Sequence, residues 1–392
     1  MVKRALSKKL KELALKFPVV SVVGPRQSGK TTLVKSVFSG MEYANLEDLD
    51  TREFALNDPR GFLETHSKGV IIDEAQRAPD LFSYIQTAVD SKNKAGQFIL
   101  TGSQNILLQE HISQTLAGRV AILRLLPFSL EELKDTSYEP DSSEEYIFKG
   151  SYPRIYDKKI NPVDWYPNYI QTYVERDARL IKNISDLNTF QKFIKLCAGR
   201  IGQVLNLSSL GNDCGITHNT AKAWLSILES TYIIFLLRPY YRNFNKRLIK
   251  MPKLYFYDTG LACSLLGIQN KQQLTAHYSG GSLFESFALS EITKYILNKG
   301  LDPHCYYWRD RTGNEVDCIV EAFGALLCIE VKSSKTIADD FFNGLRYWDK
   351  VAGKSSGRYY LIYSGQEHQK RSFAEVISWK NIGSILGAKN HS

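Results

Sequence analysis

One run of residues has the types and spacing needed to bind a chain of phosphates. Residues 24–31 read GPRQSGKT, which matches the pattern G-x-x-x-x-G-K-T. Gly24 and Gly29 let the backbone wrap closely and point its N–H groups at phosphate oxygens. Lys30 adds a positive charge for the β and γ phosphates, and the Thr31 hydroxyl suits Mg²⁺. The expected nucleotide-binding residues are Gly24, Pro25, Arg26, Gln27, Ser28, Gly29, Lys30, Thr31 and Thr32.

Two acids end a second apolar run, VIIDEA at 70–75. Thr31 and Asp73 are expected to hold the metal ion, Thr31 directly and Asp73 through a water molecule. Glu74 is expected to polarise the attacking water, so that bound nucleotide is hydrolysed. A solvated turn or a helix cap is the other interpretation of such a pair, and the upstream phosphate loop favours the catalytic one.

A third strand-like run ends in ILTGSQN at 99–105. A polar side chain at this point can lie between Asp73 and the γ-phosphate, and the candidates are Thr101, Ser103, Gln104 and Asn105. Arg119 follows, at the end of a predicted helix and just before the strand-like run at 121–126. On the residues alone it could equally be a surface arginine at a helix C-terminus.

Acids and a lysine recur near the C-terminus, with Glu285 on a predicted helix, Asp317 on a strand-like run, and Glu330 and Lys332 on the next. Residues two apart on a strand point to the same face. A carboxylate pair can bind Mg²⁺, and a nearby lysine can position or deprotonate a water molecule. The pattern predicts either a metal-dependent catalytic site or a domain of the same fold that is used only for binding or assembly.

The pattern of residues 201–237 predicts helix, short helix, glycine-containing turn, helix and a β-rich tail, which is a winged helix-turn-helix. A basic run with interleaved aromatic residues follows at 238–253. Phosphates attract such a run and aromatic rings can stack on bases. A rigid packing module with a solvated edge strand is the alternative. The expected nucleic-acid contacts are Lys222, Arg242, Lys246, Arg247 and Lys250.

Strand-like runs at 18–24, 69–75, 96–103 and 121–126 alternate with helical segments, which predicts an α/β layer with a parallel sheet. The last segment predicts an α-β-β-β-α-β order. The chain therefore divides into an ATPase domain at 1–135, a helical lid or linker at 136–200, the winged helix at 201–255 and a C-terminal α/β domain at 256–392.

Composition limits the class of protein. The chain has 392 residues, 43% of them apolar, with a formal charge of +9. A globular protein with an anionic partner is expected. The six cysteines form no CxxC pair, so neither a disulfide framework nor a zinc site is expected. No apolar stretch approaches the ~20 residues of a membrane helix, so we expect a cytoplasmic protein with no membrane partner.

These motifs resemble two known families. GPRQSGKT, DEAQ, LTGSQ, LAGRV and LPFSLEEL resemble prokaryotic AAA+ ATPases allied to the origin-recognition and STAND groups. That resemblance implies a sensor among Thr101, Ser103 and Gln104, and an arginine finger at Arg119 that acts on a neighbouring subunit of a homo-oligomer. GSYPRIY, YIQTYVERDAR and PKLYFYDTGLACSLLG look like a branch with a winged helix and a C-terminal domain of unknown function. Glu285, Asp317, Glu330 and Lys332 look like the core of restriction-endonuclease-like PD-(D/E)xK nucleases.

The expected function is Mg²⁺-dependent binding and hydrolysis of ATP to ADP, with Lys30, Glu74 and Arg119 as catalytic residues. Coupling to DNA binding or processing is expected through the winged helix and the nuclease-like domain. The alternative is an ATP-dependent regulatory switch that binds a protein partner and has no nuclease activity.

Overall fold

The chain folds into two compact units, each described here by itself. Unit 1 comprises residues 1–128, 230–232 and 297–301, and unit 2 comprises 129–229, 233–296 and 302–392. The computed structural model describes residues 2–92, 94–102, 114–174, 186–240, 250–322, 324–353 and 357–387.

Unit 1 alternates strands and helices. Its strands are β1 (Val19–Val23), β2 (Glu42–Asn45), β3 (Val70–Asp73), β4 (Phe98–Gly102) and β5 (Val120–Arg124). Its helices are α1 (Ser7–Ala14), α2 (Lys30–Val37), α3 (Leu49–Asn57), α4 (Pro59–Thr65) and α5 (Leu81–Lys92), with a 3₁₀ turn at Ala75–Arg77.

The five strands form one parallel sheet in the order β2-β3-β4-β1-β5. Strands β1, β3 and β4 are fully buried, as expected for a parallel sheet covered on both faces. Because all strands run the same way, the residues that follow β1, β3 and β4 meet at one edge. The predicted α/β layer is confirmed.

Strand β2 is the strand of unit 1 that sequence patterning missed. Its four residues, EYAN, are mostly half-exposed and lie at the edge of the sheet beside β3. So short an edge strand has too little apolar alternation to be recognised.

The core of unit 1 joins the N-terminal helix to the sheet. Leu6 and Leu10 pack with Val20 and Val22 of β1 and Leu33 of α2. Their burial explains the apolar spacing of the otherwise charged N-terminal segment.

Unit 2 contains helices along its whole length, with the strands of a second sheet between them. The helices are α6 (Leu130–Leu133), α7 (Ser143–Lys149), α8 (Pro153–Asp157), α9 (Pro162–Tyr169), a π-turn at Ile170–Val174, α10 (Leu187–Ala198), α11 (Leu207–Cys214), α12 (His218–Ser230), α13 (Thr259–Leu265), α14 (Lys271–Ala276), α15 (Gly280–Asn298), α16 (Asn343–Ala352) and α17 (Ser384–Gly387). Two 3₁₀ turns lie at Asp339–Phe342 and Trp379–Asn381.

Eight strands form the sheet of unit 2 in the order β12-β13-β11-β10-β9-β8-β6-β7. They are β6 (Ile234–Pro239), β7 (Lys253–Phe256), β8 (Cys305–Arg309), β9 (Glu315–Ala322), β10 (Ala325–Lys332), β11 (Arg358–Tyr363), β12 (Gln369–Lys370) and β13 (Glu375–Ser378). The predicted α-β-β-β-α-β order is present in α15, β8, β9, β10, α16 and β11.

The β-rich tail expected to form the wing is part of this sheet. Strand β6 pairs with β7 antiparallel and with β8 parallel, so the sheet crosses the boundary predicted at 255/256. The compact units separate at 128/129, and the domain boundary at 135/136 stays a prediction. Backbone pairing between residues far apart in sequence joins these segments, and the local composition of the chain does not indicate that pairing.

Two further observations concern the whole chain. Among the described residues, no helix is long and apolar enough to cross a membrane. All six cysteines are free thiols.

Candidate functional sites

The phosphate-binding loop leads from β1 into α2 with a backbone that needs its glycines. Gly29 has φ +92° and Gly24 has φ +153°, both in the region that favours glycine. A Cβ atom at Gly24 would lie 2.1 Å from the Leu125 carbonyl oxygen. The loop is therefore pressed against the chain that follows β5, and only glycine fits there.

Lys30 is buried inside this loop. Its Nζ donates hydrogen bonds to the carbonyls of Gly24 at 3.0 Å and Pro25 at 2.8 Å. The ammonium group thus lies inside the loop, near the N-terminus of α2. The N-terminus of a helix itself attracts an anion, so both features favour a phosphate at this point. Ser28 is buried beside it, whereas Thr32 is exposed.

The Asp73 carboxylate accepts hydrogen bonds from three hydroxyl groups, which lie on three different elements. Thr31 of α2 donates to its Oδ2 at 2.7 Å, and Tyr43 of β2 donates to the same oxygen at 2.8 Å. Thr101 of β4 donates to Oδ1. The carboxylate predicted to hold a metal is thereby tied to the phosphate loop and to the first of the predicted sensor residues.

Tyr43 is the residue at this site that sequence reasoning missed. Burial raises the pKa of its phenol, and the hydrogen bond to the Asp73 carboxylate raises it further. The Lys35 ammonium lies 3.3 Å from the centroid of its ring. Only the position of β2 beside β3 identifies Tyr43, and no motif marks it.

Glu74 follows Asp73 in a left-handed conformation, with φ +55°. Gln76 Nε2 donates to Glu74 Oε2 at 2.5 Å, so Gln76 orients the Glu74 carboxylate. A non-glycine residue in this region carries backbone strain, which is frequent at functional sites.

Arg119 does not reach the phosphate loop of its own unit. Its backbone carbonyl accepts from Val19 N–H, at the start of β1, whereas the loop follows the end of that strand. Five residues of strand span roughly 16 Å. The guanidinium instead forms a paired contact with Asp90, Nε at 2.6 Å and Nη2 at 2.9 Å, which raises the pKa of Arg119. The other predicted sensors, Ser103 and Gln104, and the candidate Asn105 lie outside the described residues.

A second cluster of charged side chains lies in unit 2 and contains all four predicted residues. Lys332 Nζ contacts Glu330 and lies 3.8 Å from Asp317, whose Oδ2 accepts from Val331 N–H at 2.9 Å. Glu285 of α15 faces the same cluster. Folding therefore brings together α15, β9 and β10, as the pattern predicted.

Lys253 is an unexpected member of that cluster. It is the last residue of the basic run at 238–253, but it is 4% exposed and pairs with Glu285 at 3.3 Å and with Glu315. Tyr255 also donates to Glu285. Lys253 lies on β7, so its position results from the pairing of β6 with β8, which sequence patterning did not predict.

Crowding of the acids perturbs their protonation. Burial, aided by the Asp317 charge, raises the pKa of Glu285 to about 7. Burial and Asp317 likewise raise the pKa of Glu330. Burial lowers the pKa of Lys332, but the negative charges of Asp317 and Glu330 outweigh it, so the pKa is raised.

No group of three His, Cys, Asp or Glu side chains within the described ranges is arranged to hold a metal ion. In the acidic cluster of unit 2, lysine ammonium groups lie between the carboxylates instead.

Two of the five predicted nucleic-acid contacts can be located. Lys222 is exposed in the first half of α12, and Lys250 is exposed shortly before β7. Arg242, Lys246 and Arg247 lie outside the described residues.

Residues 16–134 match the family model described as "AAA domain". The matched segment contains the parallel sheet of unit 1 and the phosphate-binding loop. Residues 140–272 and 280–382 match two domains of unknown function (DUF8612 and DUF4143).

Two curated relatives are uncharacterized proteins of Mycobacterium bovis and Mycobacterium tuberculosis. Each is 29% identical over 339 residues, which covers 85% of this chain and 74% of the relative.

Solved structures also resemble the chain. A Walker-type ATPase of Pyrococcus abyssi is 16% identical and covers 66% of this chain and 94% of its own, with a TM-score of 0.45. AMPPCP-bound DnaA from Aquifex aeolicus is 14% identical over 57% of this chain and 85% of its own, with a TM-score of 0.29.

Proposed function

We propose that the AAA domain binds ATP with Mg²⁺ and hydrolyses it to ADP. The observation that carries this proposal is the 2.7 Å hydrogen bond from Thr31 to Asp73. It joins the loop suited to phosphates to the carboxylate suited to a metal, at the edge where strands β1, β3 and β4 end.

Lys30 and the loop backbone provide the phosphate contacts. The Lys30 ammonium, held by two loop carbonyls, exchanges them for β and γ phosphate oxygens when nucleotide enters. The loop N–H groups and the N-terminus of α2 stabilise the same negative charge.

The donor set next to Lys30 fits Mg²⁺, because a hydroxyl and a carboxylate are the hard oxygen ligands it prefers. Thr31 and Asp73 would hold the ion, Asp73 through water. The bound ion would neutralise charge on the β and γ phosphates. Thr101 and Tyr43 keep the Asp73 carboxylate in one orientation.

Glu74 is the residue that orients and deprotonates water. Its carboxylate is next in sequence to Asp73 and is held by Gln76. A general base needs such positioning within hydrogen-bond reach of its water molecule.

Substitution of Lys30 tests the ATPase proposal. Lys30→Ala should abolish ATP turnover and weaken binding of a fluorescent ATP analogue by at least about tenfold, since a charge-assisted contact is lost. Lys8→Ala, which removes an exposed lysine of α1, is the matched control and should leave both unchanged. Binding and turnover at the control level in Lys30→Ala would disprove the assignment.

We propose as a second function that unit 2 cuts nucleic acid in a metal-dependent reaction, for which Asp317 and Glu330 would exchange their contacts with Lys332 for a metal ion. The supporting observation is the meeting of Asp317, Glu330 and Lys332, with Lys332 Nζ 3.8 Å from Asp317. Glu285 and Lys253 extend this cluster. Exposed Lys222 and Lys250 provide sites for contact with phosphates.

Incubation of the full chain with Mg²⁺ or Mn²⁺ and plasmid or single-stranded DNA tests the second function. Cleavage should require Asp317 and Lys332. Persistence of cleavage in the Asp317→Ala, Lys332→Ala double variant would assign it to a contaminant.

The ATPase rate with and without single- and double-stranded DNA tests the coupling. Stimulation supports DNA processing. An unchanged rate together with an ATP-dependent change in assembly size supports the regulatory switch that binds a protein partner.

A further inference from the structure

Arg4 belongs to none of the sequence motifs, yet its side chain contacts the phosphate-binding loop. Its Nη1 donates to the Ser28 carbonyl at 2.6 Å, and its Nη2 donates to the Leu126 carbonyl at 2.6 Å. The guanidinium also lies over the Phe128 ring, 5.0 Å from its centroid, and Arg4 is 8% exposed. We name the two hydrogen bonds to Ser28 and Leu126 the Arg4 bridge.

We propose that Arg4 is a positioning residue that holds the phosphate-binding loop in its binding shape before nucleotide enters. This inference rests on the proposed ATP binding by the AAA domain. It assigns Arg4 no contact with the nucleotide itself.

The geometry of the peptide bond gives the reason. In a planar trans peptide, the carbonyl of one residue and the N–H of the next point in opposite directions. When Arg4 holds the Ser28 carbonyl on the outer side of the loop, the Gly29 N–H is turned to the inner side. That side is the one from which loop N–H groups bind phosphate oxygens.

The other end of the bridge is anchored to the sheet. Leu125 N–H donates to the Val23 carbonyl at 2.8 Å, so the chain before Leu126 is tied to the end of β1. The Leu125 carbonyl also blocks any Cβ at Gly24. The Arg4 bridge thus connects the later part of the loop to the same segment that confines its start.

Arg4 itself is held in place from two sides. The Ser7 hydroxyl donates to the Arg4 carbonyl at 2.7 Å, and the Ser7 N–H does so at 3.2 Å. Val2 and Leu6 on either side of it are buried. A side chain with a fixed backbone contributes order to the loop at little entropic cost.

Nucleotide titrations of full-length variants test the proposal. With Mg²⁺ and fluorescent N-methylanthraniloyl-ADP, Arg4→Ala should raise the dissociation constant by about tenfold, the effect of losing charge-assisted hydrogen bonds that orient a phosphate ligand. Arg4→Lys keeps the charge but replaces the planar fork, in which two nitrogens each reach one carbonyl, with a single ammonium nitrogen, so it should lie between Arg4→Ala and wild type. Lys8→Ala is the control for loss of an N-terminal positive charge and should bind as wild type does.

Chemical rescue separates positioning from a general loss of stability. Addition of methylguanidinium at millimolar concentration should restore part of the affinity of Arg4→Ala, whereas methylammonium should not. If Arg4→Ala does not fold, Arg4→Lys must show the weakened binding at a temperature well below its melting point.

The possible outcomes distinguish this inference from the function on which it rests. If Lys30→Ala loses binding but folded Arg4→Ala, or Arg4→Lys in its place, binds as wild type does, the Arg4 bridge has no role in positioning. Weakened binding in folded Arg4→Ala with no rescue by methylguanidinium also overturns it. If Lys30→Ala binds as wild type does, the proposed ATP site itself is wrong.

Discussion

At the scale of single residues, the nucleotide site depends on one carboxylate with three hydroxyl donors. Thr31, Tyr43 and Thr101 reach Asp73 from α2, β2 and β4. Hydrogen bonds to a charged acceptor are stronger than neutral ones and fix its orientation. Asp73 is therefore presented in one geometry to whatever binds beside Thr31.

Removal of one donor should affect catalysis more than binding. Tyr43→Phe keeps the ring over Lys35 but removes the hydroxyl, so Asp73 becomes less well oriented. We expect the ATP turnover number to fall by about tenfold, with nucleotide affinity changed by less than about threefold. Steady-state turnover and titration of a fluorescent nucleotide measure the two effects.

Tyr84→Phe is the matched control for that substitution, since Tyr84 lies on α5 in the same unit and lines a cavity with Gln97 and Phe98, at the start of β4, whereas Asp73 is at the end of β3. It should leave turnover unchanged. An equal loss in Tyr43→Phe and Tyr84→Phe, or a loss of affinity alone in Tyr43→Phe, contradicts the role given to the Tyr43 hydroxyl.

At the scale of elements, the start of the turn from β1 to α2 is confined by the backbone of Leu125. Gly24 approaches Leu125 closely, whereas nothing lies within 4 Å of a Cβ placed at Gly40. The two glycines therefore serve as a matched pair.

Gly24→Ala should destabilise unit 1 by about 2 kcal/mol or more, because the loop must move away from a backbone atom that cannot yield. It should also abolish the rise in melting temperature that we expect ATP binding to produce in the wild type. Gly40→Ala should retain both properties. Thermal unfolding with and without ATP provides the measurement, and a normal ATP response in Gly24→Ala would exclude the close approach.

The meeting of α15, β9 and β10 makes the stability of unit 2 depend on pH. The pKa of Glu285 rises from 4.5 to about 7 on folding. Between these values the folded chain keeps a proton that the unfolded chain has lost, so this residue lowers stability as pH rises through that window.

Glu285→Gln stays neutral and should reduce the loss of stability between pH 5 and pH 8 by about 2 kcal/mol. All five tryptophans, at 165, 224, 308, 348 and 379, lie in unit 2, so urea unfolding followed by tryptophan fluorescence reports on it alone. Glu321→Gln, at an exposed carboxylate of β9, is the control. Identical pH profiles for wild type and Glu285→Gln would be inconsistent with the raised pKa.

At the scale of the whole molecule, Arg119 can complete an ATP site only if that site belongs to another chain. Its distance from its own loop, set by the length of β1, excludes a direct contact within the unit. Its pairing with Asp90 must then break when subunits assemble.

Mixing experiments test this arrangement. Lys30→Ala and Arg119→Ala should each be inactive alone, and their mixture should regain up to about a quarter of wild-type turnover through sites that combine one intact loop with one intact arginine. Wild-type turnover by Arg119→Ala alone would leave Arg119 as an ion-pair partner of Asp90 at the surface.

The local motifs could be recognised from the sequence because they are contiguous. GPRQSGKT and VIIDEA specify a turn and a strand end through glycine conformation and apolar runs, and both have the predicted structure. The same holds for the strand and helix order around Asp317, Glu330 and Lys332. Their roles in catalysis remain predictions.

Only the tertiary structure decided which distant residues join these motifs. Tyr43, Lys253 and Arg4 reach their sites across 30, 32 and 24 residues of the chain, and each does so from a segment whose local pattern carries no functional signal. Strand order brings Tyr43 to Asp73, pairing of β6 with β8 buries Lys253 among acids, and packing of α1 brings Arg4 to the loop. Such contacts depend on which strands and helices become neighbours, and a local sequence pattern does not encode that choice.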